Sequence, residues 1–437
     1  MDIAPLKQAA QIILPLLENS DDTQPYAAWL KSQMDYLEVA DEIRISIPPP
    51  ATQTNQAPPL TSNPSPQKER ALWTKKVSTE PWPAAAKIYV PELKPVFLAQ
   101  KVPAELVWLD EPSPQGSQQN MQRLVQENKV VAILGGSLSS NALAEQATAA
   151  QLKIPFVCNN AAATDISGKN CNHYTFRLNT PVAVQAAMFA PYIMGYGKKW
   201  YFITANYAFG QDIAKSFKEI LAKAGGTIVG DDSVPLNTPD YSSFILKIRQ
   251  AKPDMILGGV PAGDLSTFLK QWNEMGMKGS IPICEIAIGD TDIWAVGQEA
   301  AAGLYTSLWW YNNPNNPPDE RAMAAGYQKK YGKPAADKAW MGWVAAKSLF
   351  DAIDQVKSTE PEAIIKGLES WKGGTAANPY YWRKGDHQML LRNLVVQVKP
   401  KITDKWDYFD VKGVVPENVA DLDKVFGSPE ANGCHMT

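Results

Sequence analysis

The stretch from residue 130 to residue 236 alternates between short apolar runs and helical patterns, and this alternation is the strongest constraint on the fold. It reads VVAILGGSLSSNALAEQATAAQ, then IPFVCNNAAATDISG, then KKWYFITANYAFGQDIAKSFKEILAKAGGTIVG. Each apolar run ends at small or hydroxylated residues before a helical pattern resumes. In an open parallel sheet, ligands bind outside the carboxyl ends of the strands. The pattern therefore predicts a small-molecule site near the hydroxyl-bearing residues Ser137, Ser139, Ser140, Thr164 and Tyr207.

Composition indicates a folded protein of more than one domain. The chain has 437 residues with 45% hydrophobic content and 14 tryptophans, which is enough for sizeable buried cores. The net charge of −3 comes from interspersed acidic and basic residues, so nucleic acid is not an expected partner. No apolar run reaches the ~20 residues that span a bilayer, and residues 1–22 lack the pattern of a signal peptide. We therefore expect no direct membrane insertion, and no export signal is visible.

Three segments precede the alternating region. Residues 1–46 carry apolar side chains at helical spacing and are expected to form a helical N-terminal segment. Residues 47–67 are rich in proline, threonine, asparagine and glutamine, which is typical of an extended linker. Residues 68–104 look helical and are interrupted by prolines, each of which ends or restarts a helix. The linker therefore predicts a domain boundary.

From Glu105 onward, apolar strand patterns alternate with helical ones. This predicts an α/β fold of parallel sheets with helices on both faces. One sheet of nine strands is possible, but the Asn-Thr-Pro break at 179–181 favours two lobes whose strand ends face each other across a cleft. Residues 386–401 are expected to form a hairpin-like segment. The predicted division is 105–182 with 312–380 for lobe 1, 183–311 with 381–410 for lobe 2, and 411–437 for a C-terminal tail.

Cysteine and histidine usage indicates neither a metal site nor a catalytic centre. The four cysteines are too unevenly spaced for a metal site, and no phosphate-binding glycine motif occurs, so no metal and no cofactor is expected. Cys158 and Cys171 flank one loop and either pair in a disulfide or remain free thiols. The three histidines lie beside no serine or cysteine in a recognised arrangement. We therefore predict a protein that is not an enzyme.

An ordered series of motifs resembles the type I periplasmic solute-binding proteins, specifically the leucine/isoleucine/valine-binding branch that serves ABC importers. The motifs are LDEPSPQGSQQNMQRLVQENKVVAILGGSLSS, IPFVCNNAAATDISG, YTFRLN, NYAFGQD and WRKGDHQ, and the resemblance runs from about Leu106 to Lys401. It implies a two-lobe fold that closes by hinge motion, a periplasmic location and a membrane permease as partner. It also implies a small carboxylate ligand in the cleft, which is an amino acid, an aromatic acid or a small amide.

The resemblance assigns ligand contacts in the first lobe. Ser139, followed by Ser140, falls where the family holds the ligand carboxylate with a hydroxyl and helix-start N–H groups, as the physics of an exposed helix start also predicts. Thr164, preceded by Ala162 and Ala163, matches the family loop that contacts carboxylate and ammonium. Serines after a glycine turn are also common helix caps, which is the alternative interpretation.

Further contacts are implied in the second lobe and at the rim. Tyr207 or Phe209 matches the aromatic wall, and the register does not decide between them. Glu285 matches the acidic residue that pairs with a ligand ammonium, although a solvated loop glutamate is the alternative. Trp309 and Trp340 are weaker candidates for the rim of the pocket, since buried tryptophans usually belong to the core.

Two features depart from the family pattern. The family's first strand and helix, which are central in lobe 1, have no recognisable counterpart before Glu105, and each buried backbone group left unpaired would cost ~1–3 kcal/mol. Residues 68–109 instead resemble the lead-in helices of a lytic transglycosylase, which cleaves peptidoglycan, so the N-terminus reads as chimeric. Pro112 breaks any helix that would present Glu111 as its catalytic acid. The alternative function is therefore a peptidoglycan-active fragment without catalytic activity, and a receptor ectodomain of the binding-protein fold is a third.

Overall fold

The structure is a computed structural model that describes residues 86–89, 104–107 and 109–436. The expected helical segment 1–46 and the linker 47–67 lie outside the described residues. Contacts divide the chain into Met1–Thr79 and Glu80–Thr437, and every described residue belongs to the second unit.

The described part alternates strands with helices, as the sequence predicts. The strands are β1 (Ala86–Tyr89), β2 (Ala104–Leu106), β3 (Ala132–Gly135), β4 (Phe156–Cys158), β5 (Thr175–Arg177), β6 (Lys199–Ala205), β7 (Thr227–Val234), β8 (Met255–Gly259), β9 (Ile283–Glu285), β10 (Leu304–Ser307), β11 (Lys372–Thr375), β12 (Asn378–Trp382), β13 (Met389–Leu390), β14 (Asn393–Val398) and β15 (Phe409–Val415). The α-helices are α1 (Pro114–Gln126), α2 (Ser139–Leu152), α3 (Val182–Ile193), α4 (Ala208–Lys223), α5 (Ser242–Ala251), α6 (Ala262–Glu274), α7 (Asp290–Trp294), α8 (Pro318–Tyr331), α9 (Asp337–Val356), α10 (Pro361–Ser370) and α11 (Leu422–Phe426). None of these helices is long and apolar enough to cross a bilayer.

The first sheet, with its helices, forms what we call lobe 1. Its strand order is β2-β1-β3-β4-β5, and all its pairings are parallel. Neighbouring residues of β4 enter different cores, because successive side chains of a strand point to opposite faces. Phe156 packs with residues of α1 and α2, whereas Val157 packs with residues of α9 and α10. Helices therefore cover both faces of the sheet.

The second sheet forms lobe 2, with the order β15-β14-β10-β9-β8-β6-β7. Strands β6 to β10 pair in parallel, whereas β14 and β15 add an antiparallel edge. Phe202 packs with residues of α3 and α4, and the next residue, Ile203, packs with residues of α5 and α6. The predicted α/β class with helices on both faces is thus confirmed.

The hairpin expected at 386–401 is wrong. Strand β13 pairs with β12, whereas β14 pairs with β10 and β15. The chain leaves lobe 1 after Leu390 and enters lobe 2 at Asn393, so the two strands belong to different sheets. Two other passages, 178–181 and 308–317, also join the lobes. The predicted lobe boundaries stay a prediction.

The expected absence of the central strand in lobe 1 is also wrong. Strand β1 lies between β2 and β3, with Ile88 opposite Leu106 on one side and Ala132 on the other. Prolines on both sides of this segment suggested an interrupted helix, whereas Ile88 and Tyr89 between them favour a strand. The described part of 68–104 is therefore strand. The remainder lies outside the described residues, and the transglycosylase resemblance stays unconfirmed.

The suggested disulfide between Cys158 and Cys171 is wrong as well. Cys171 is bonded to Cys434, and Cys158 is a free, buried thiol at the end of β4. Its side chain belongs to the core between the sheet and α2, which keeps it from the loop that carries Cys171. Phe426 of α11 packs against Met188 of α3 in lobe 2. The C-terminal segment thus contacts lobe 2 and is covalently joined to lobe 1.

Candidate functional site

A cavity of about 370 Å³ lies between the lobes at the carboxyl ends of their strands. Lobe 1 contributes the turn after β3, the loop after β4 and the start of α9, and lobe 2 contributes the start of α4 and the loops after β8 and β9. Such a position is where ligands bind in open parallel sheets. Of the predicted site residues, Ser139, Ala162, Tyr207 and Phe209 line this cleft.

The turn after β3 presents the start of α2 to the cleft. Gly136 has φ +81°, and an added Cβ would lie 2.6 Å from the sulfur of Cys158, so a glycine is required. Glu111 accepts hydrogen bonds from the backbone N–H groups of Gly136 (2.9 Å) and Ser137 (2.8 Å). Helix α2 then begins at Ser139 without a side-chain cap. Its first N–H groups have no acceptor within the helix, and this positive end favours a carboxylate.

Arg177 holds the loop after β4 in place through hydrogen bonds to its backbone. Its side chain is fully buried, and its guanidinium donates to the carbonyls of Ala162 (3.2 Å) and Ala163 (3.1 Å) and to Oε1 of Gln388 (2.6 Å). Burial lowers the pKa of Arg177 to about 10, so the group remains cationic at neutral pH. The guanidinium presents several donors in one plane. One buried side chain can therefore hold the backbone of Ala162 and Ala163 beside the cleft.

Three predicted residues of lobe 1 do not line the cleft. Thr164 donates its backbone N–H to Oδ2 of Asp212 in lobe 2 (2.6 Å) and accepts a hydrogen bond at Oγ1 from the N–H of Ala183 (3.0 Å). Ala163 donates its backbone N–H to Oγ of Ser139 (3.2 Å). Ser140 lies in the first turn of α2, away from the lining. Thr164 thus connects the two lobes in this structure.

An aromatic pair forms the wall of lobe 2. The ring centroids of Tyr207 and Phe209 lie 6.3 Å apart with an angle of 32° between the planes, and both residues line the cleft. Burial, followed by the nearby carboxyl of Glu285, raises the pKa of Tyr207, so its phenol stays neutral. Pro261 and Ile288 continue the apolar surface. This wall suits a flat or branched apolar body.

Glu285 lies inside lobe 2 and not on the cleft lining. It is fully buried, and an added Cβ at Gly258 would be 2.4 Å from its Oε2. Neither carboxylate oxygen has a hydrogen-bond partner of normal geometry among the described residues. Burial, aided by Asp292, raises the pKa of Glu285 well above its usual value. A buried carboxyl whose neutral form is favoured is poorly placed to pair with a ligand ammonium.

The two tryptophans proposed for the rim line a different cavity, of about 240 Å³. The rings of Trp309 and Trp340 are parallel within 5°, with centroids 6.4 Å apart. Trp309 donates from Nε1 to Oε2 of Glu320 at 2.8 Å. Both side chains are buried in the core of lobe 1. Their interpretation as core residues is therefore the one the geometry favours.

The sequence did not reveal the charged residues that line the cleft, nor the buried Arg177 that supports its backbone. Lys338 and Asp292 line the cleft, and Nζ of Lys338 lies 3.3 Å from Oδ2 of Asp337. Arg177 is part of the YTFRLN motif, but its buried hydrogen-bond partner, Gln388, is distant in sequence, so the motif alone does not show its role. Across the described residues, no cluster of three His, Cys, Asp or Glu side chains could hold a metal ion.

Comparison with known proteins identifies the family. A family model for periplasmic binding proteins matches residues 78–404, a span that includes β1. The Leu/Ile/Val-binding protein homolog 8 of Brucella abortus (strain 2308) is 27% identical over 320 residues, which covers 68% of this chain and 76% of that protein.

Solved structures agree on the fold. A periplasmic binding protein from Burkholderia mallei superposes with a TM-score of 0.70 at 20% identity, covering 80% of this chain and 98% of that one. A solute-binding protein of an ABC transporter from Rhodopseudomonas palustris BisB5, solved in complex with 3,4-dihydroxybenzoic acid, has a TM-score of 0.66 at 22% identity, covering 76% and 96%. Together with the family match, they show that the chain belongs to the periplasmic binding proteins.

Proposed function

We propose that the protein is the substrate-binding component of an ABC-type importer and captures a small carboxylate with an apolar body in the interlobe cleft. One observation carries this proposal: the same cavity has the uncapped start of α2 on one wall and the Tyr207–Phe209 pair on the other. A positive helix end and an aromatic surface in one cavity suit a ligand that is anionic at one end and apolar at the other.

Capture needs positioning and closure but no covalent step. The ligand carboxylate is expected at the N–H groups around Ser139, with its apolar body against Phe209. Within the described part of the chain, three passages join the lobes, at 178–181, 308–317 and 391–392, and these are the segments about which a hinge would turn. Closure would bury the ligand between two surfaces that the fold has already formed.

An aromatic acid is the ligand class that we favour over an amino acid. Glu285, the residue expected to pair with an ammonium, does not line the cleft and carries a raised pKa. Asp292 does line it, but one of its oxygens accepts the N–H of Gly289 at 2.9 Å, and the cation of Lys338 lies on the same cavity. The dihydroxybenzoic acid bound to one solved relative supports this choice, whereas the name of the Brucella relative supports branched-chain amino acids.

The proposed location is the periplasm, with a membrane permease as partner. Membership in the periplasmic binding proteins supports both. The Cys171–Cys434 disulfide adds an independent argument, because structural disulfides persist in oxidising compartments.

A thermal-shift panel tests the function. The purified chain is heated with benzoate, 4-hydroxybenzoate, 3,4-dihydroxybenzoate, leucine and benzamide, the last as the uncharged match for benzoate. A ligand at a hundred times its Kd stabilises the folded state by ~2.7 kcal/mol. We expect shifts with the aromatic acids and none with benzamide. If no carboxylate raises the melting temperature, the proposal is wrong.

The Glu285→Ala variant separates the two ligand classes. With an aromatic acid, affinity should match that of the wild type, because Glu285 does not line the cleft. If leucine is the better ligand and the variant binds it about tenfold more weakly, a loss of ~1.4 kcal/mol, then Glu285 is the ammonium partner and our preference is overturned.

A further inference from the structure

The starts of α7 and α9 meet at the edge of the cleft. Helix α7 belongs to lobe 2, where Ile293 enters the core, and α9 belongs to lobe 1. An added Cβ at Gly289, the residue before α7, would lie 2.0 Å from Oδ1 and 2.5 Å from Oδ2 of Asp337, the first residue of α9. A side chain at position 289 would therefore force the Asp337 carboxylate to move. Glycine at position 289 leaves room for this carboxylate at the contact between the two lobes.

Asp290 is buried at this contact. Its side chain is fully buried, and neither carboxylate oxygen has a hydrogen-bond partner of normal geometry within the described part of the chain. The charged groups facing it are Asp337 and Lys338 of lobe 1 and Asp292 of its own helix. Burial, then the carboxylates of Asp337 and Asp292, raises the pKa of Asp290 well above its usual value, while Lys338 and the backbone N–H of Asp337 oppose this shift. The neutral form of the carboxyl is therefore favoured while the lobes touch.

Separation of the lobes changes the surroundings of Asp290. Asp337, whose carboxylate and backbone N–H both act on Asp290, begins a helix of the opposite lobe. If the lobes separate and Asp337 moves away, water can reach the carboxyl, and its pKa returns towards the ordinary value of an aspartate. The open arrangement then holds one proton fewer than the closed arrangement.

We propose that the starts of α7 and α9 form an interlobe latch, in which Gly289 receives the Asp337 carboxyl and the buried Asp290 carboxyl takes up one proton from water as the lobes close. Gly289, Asp290 and Asp337 are then positioning residues for ligand capture. They act on affinity through closure, and Gly289 and Asp290 do not line the cavity.

The latch makes closure depend on pH in a defined direction. Because the closed arrangement binds one more proton, falling pH favours it, and the ratio of closed to open molecules changes by at most about tenfold per pH unit. We do not expect Glu285 to produce this effect, because its carboxylate packs against Gly258 of its own lobe. The inference rests on the proposed hinge closure but not on the identity of the ligand.

Interlobe distances measured without ligand test the latch. Spin labels are attached through Lys223→Cys in lobe 2 and Lys329→Cys in lobe 1, since both lysines are exposed and the two native free cysteines are buried. Pulsed electron resonance then gives the distance distribution between pH 5 and pH 8. We expect the short-distance fraction to grow as the pH falls. A distribution that does not change with pH overturns the latch, and this holds whether or not any carboxylate binds.

Three variants show which residues are responsible. Asp290→Asn should give at pH 8 the distribution that the wild type has at pH 5, with no further change on acidification. Glu285→Gln should keep the wild-type pH response. Gly289→Ala should shift the lobes apart at every pH, whereas Gly326→Ala, where an added Cβ meets no atom within 4 Å, should not. An unchanged pH response in Asp290→Asn, or equal distributions in the two glycine variants, contradicts the proposal.

Discussion

Arg177 is the buried residue on which the loop beside the cleft depends. We expect Arg177→Lys to lower the free energy of unfolding by about 2–4 kcal/mol, because an ammonium lacks the planar set of donors that bonds Gln388 together with the carbonyls of Ala162 and Ala163, and a hydrogen bond to a charged group contributes ~1.5–3 kcal/mol. Binding should weaken as well, since Ala162 lines the cleft. Denaturant unfolding and calorimetric titration measure the two effects.

The matched control is Arg123→Lys. Arg123 pairs with Glu127 at 3.8 Å, and both side chains are more than half exposed. A substitution at such a surface pair changes stability by less than about 0.5 kcal/mol. If the two substitutions lower the free energy of unfolding equally, the buried guanidinium of Arg177 does not hold the loop after β4.

The candidate site was predictable where the signal is local. Ser139, Ala162 and Phe209 line the cleft because each follows directly on a strand end, and the carboxyl ends of parallel strands meet at one edge. Glu285 also ends a strand, yet its side chain points into lobe 2 against Gly258, a residue of the neighbouring strand. Which face of a strand a residue occupies depends on its partner strands, and the sequence alone does not show this.

At the level of elements, β1 shows how flanking prolines can mislead. Residues 82–109 contain several prolines and lack the glycine turn expected after a first strand, so the segment looks like broken helix. Four residues, Ala86–Tyr89, suffice to form an interior strand of the sheet because β2 and β3 supply partners on both sides. The α/β alternation after Glu105 was predictable from periodicity, whereas a short strand stabilised by its neighbours was not.

The Cys171–Cys434 disulfide joins the C-terminal segment to lobe 1, and its removal should destabilise the fold. We expect Cys434→Ser to lower the free energy of unfolding by about 2–5 kcal/mol, because the bond between residues 171 and 434 closes a loop of 263 residues in the unfolded chain. Thermal and denaturant unfolding of the oxidised protein measure the loss.

Two comparisons establish whether the effect comes from the bond. Cys171→Ser alone and the double variant should be no less stable than Cys434→Ser, since one substitution already removes the bond. Wild-type protein treated with a reductant should match them. If the reduced wild type keeps its full stability, the disulfide does not stabilise the fold.

For the whole molecule, the buried acids set the pH dependence of stability. Burial raises the pKa values of Glu145, Glu285 and Asp290 well above those of the unfolded chain. The native state therefore binds more protons than the unfolded state above the unfolded pKa values, and stability falls as pH rises, by up to ~1.4 kcal/mol per unit for each group. We expect the protein to unfold at lower denaturant concentration at pH 8 than at pH 5.5.

Glu285→Gln isolates one contribution to this trend. An amide does not ionise, so the variant should lose less stability than the wild type between pH 5.5 and pH 8. The substitution keeps the size of the side chain, which preserves its packing against Gly258. A wild-type stability that rises over this range would contradict the assigned direction of the pKa shifts.

The most direct test of the proposed function is a calorimetric titration of the protein with 3,4-dihydroxybenzoate and with leucine. Wild type should bind the aromatic acid at one site per chain. Phe209→Ala should weaken binding by about tenfold or more, since an aromatic contact is worth ~0.5–1.5 kcal/mol beyond its buried area. Tyr331→Ala, at an exposed aromatic residue of lobe 1, should bind like the wild type. Equal affinities in the two variants, or no binding of either ligand, would contradict capture of a carboxylate in the interlobe cleft.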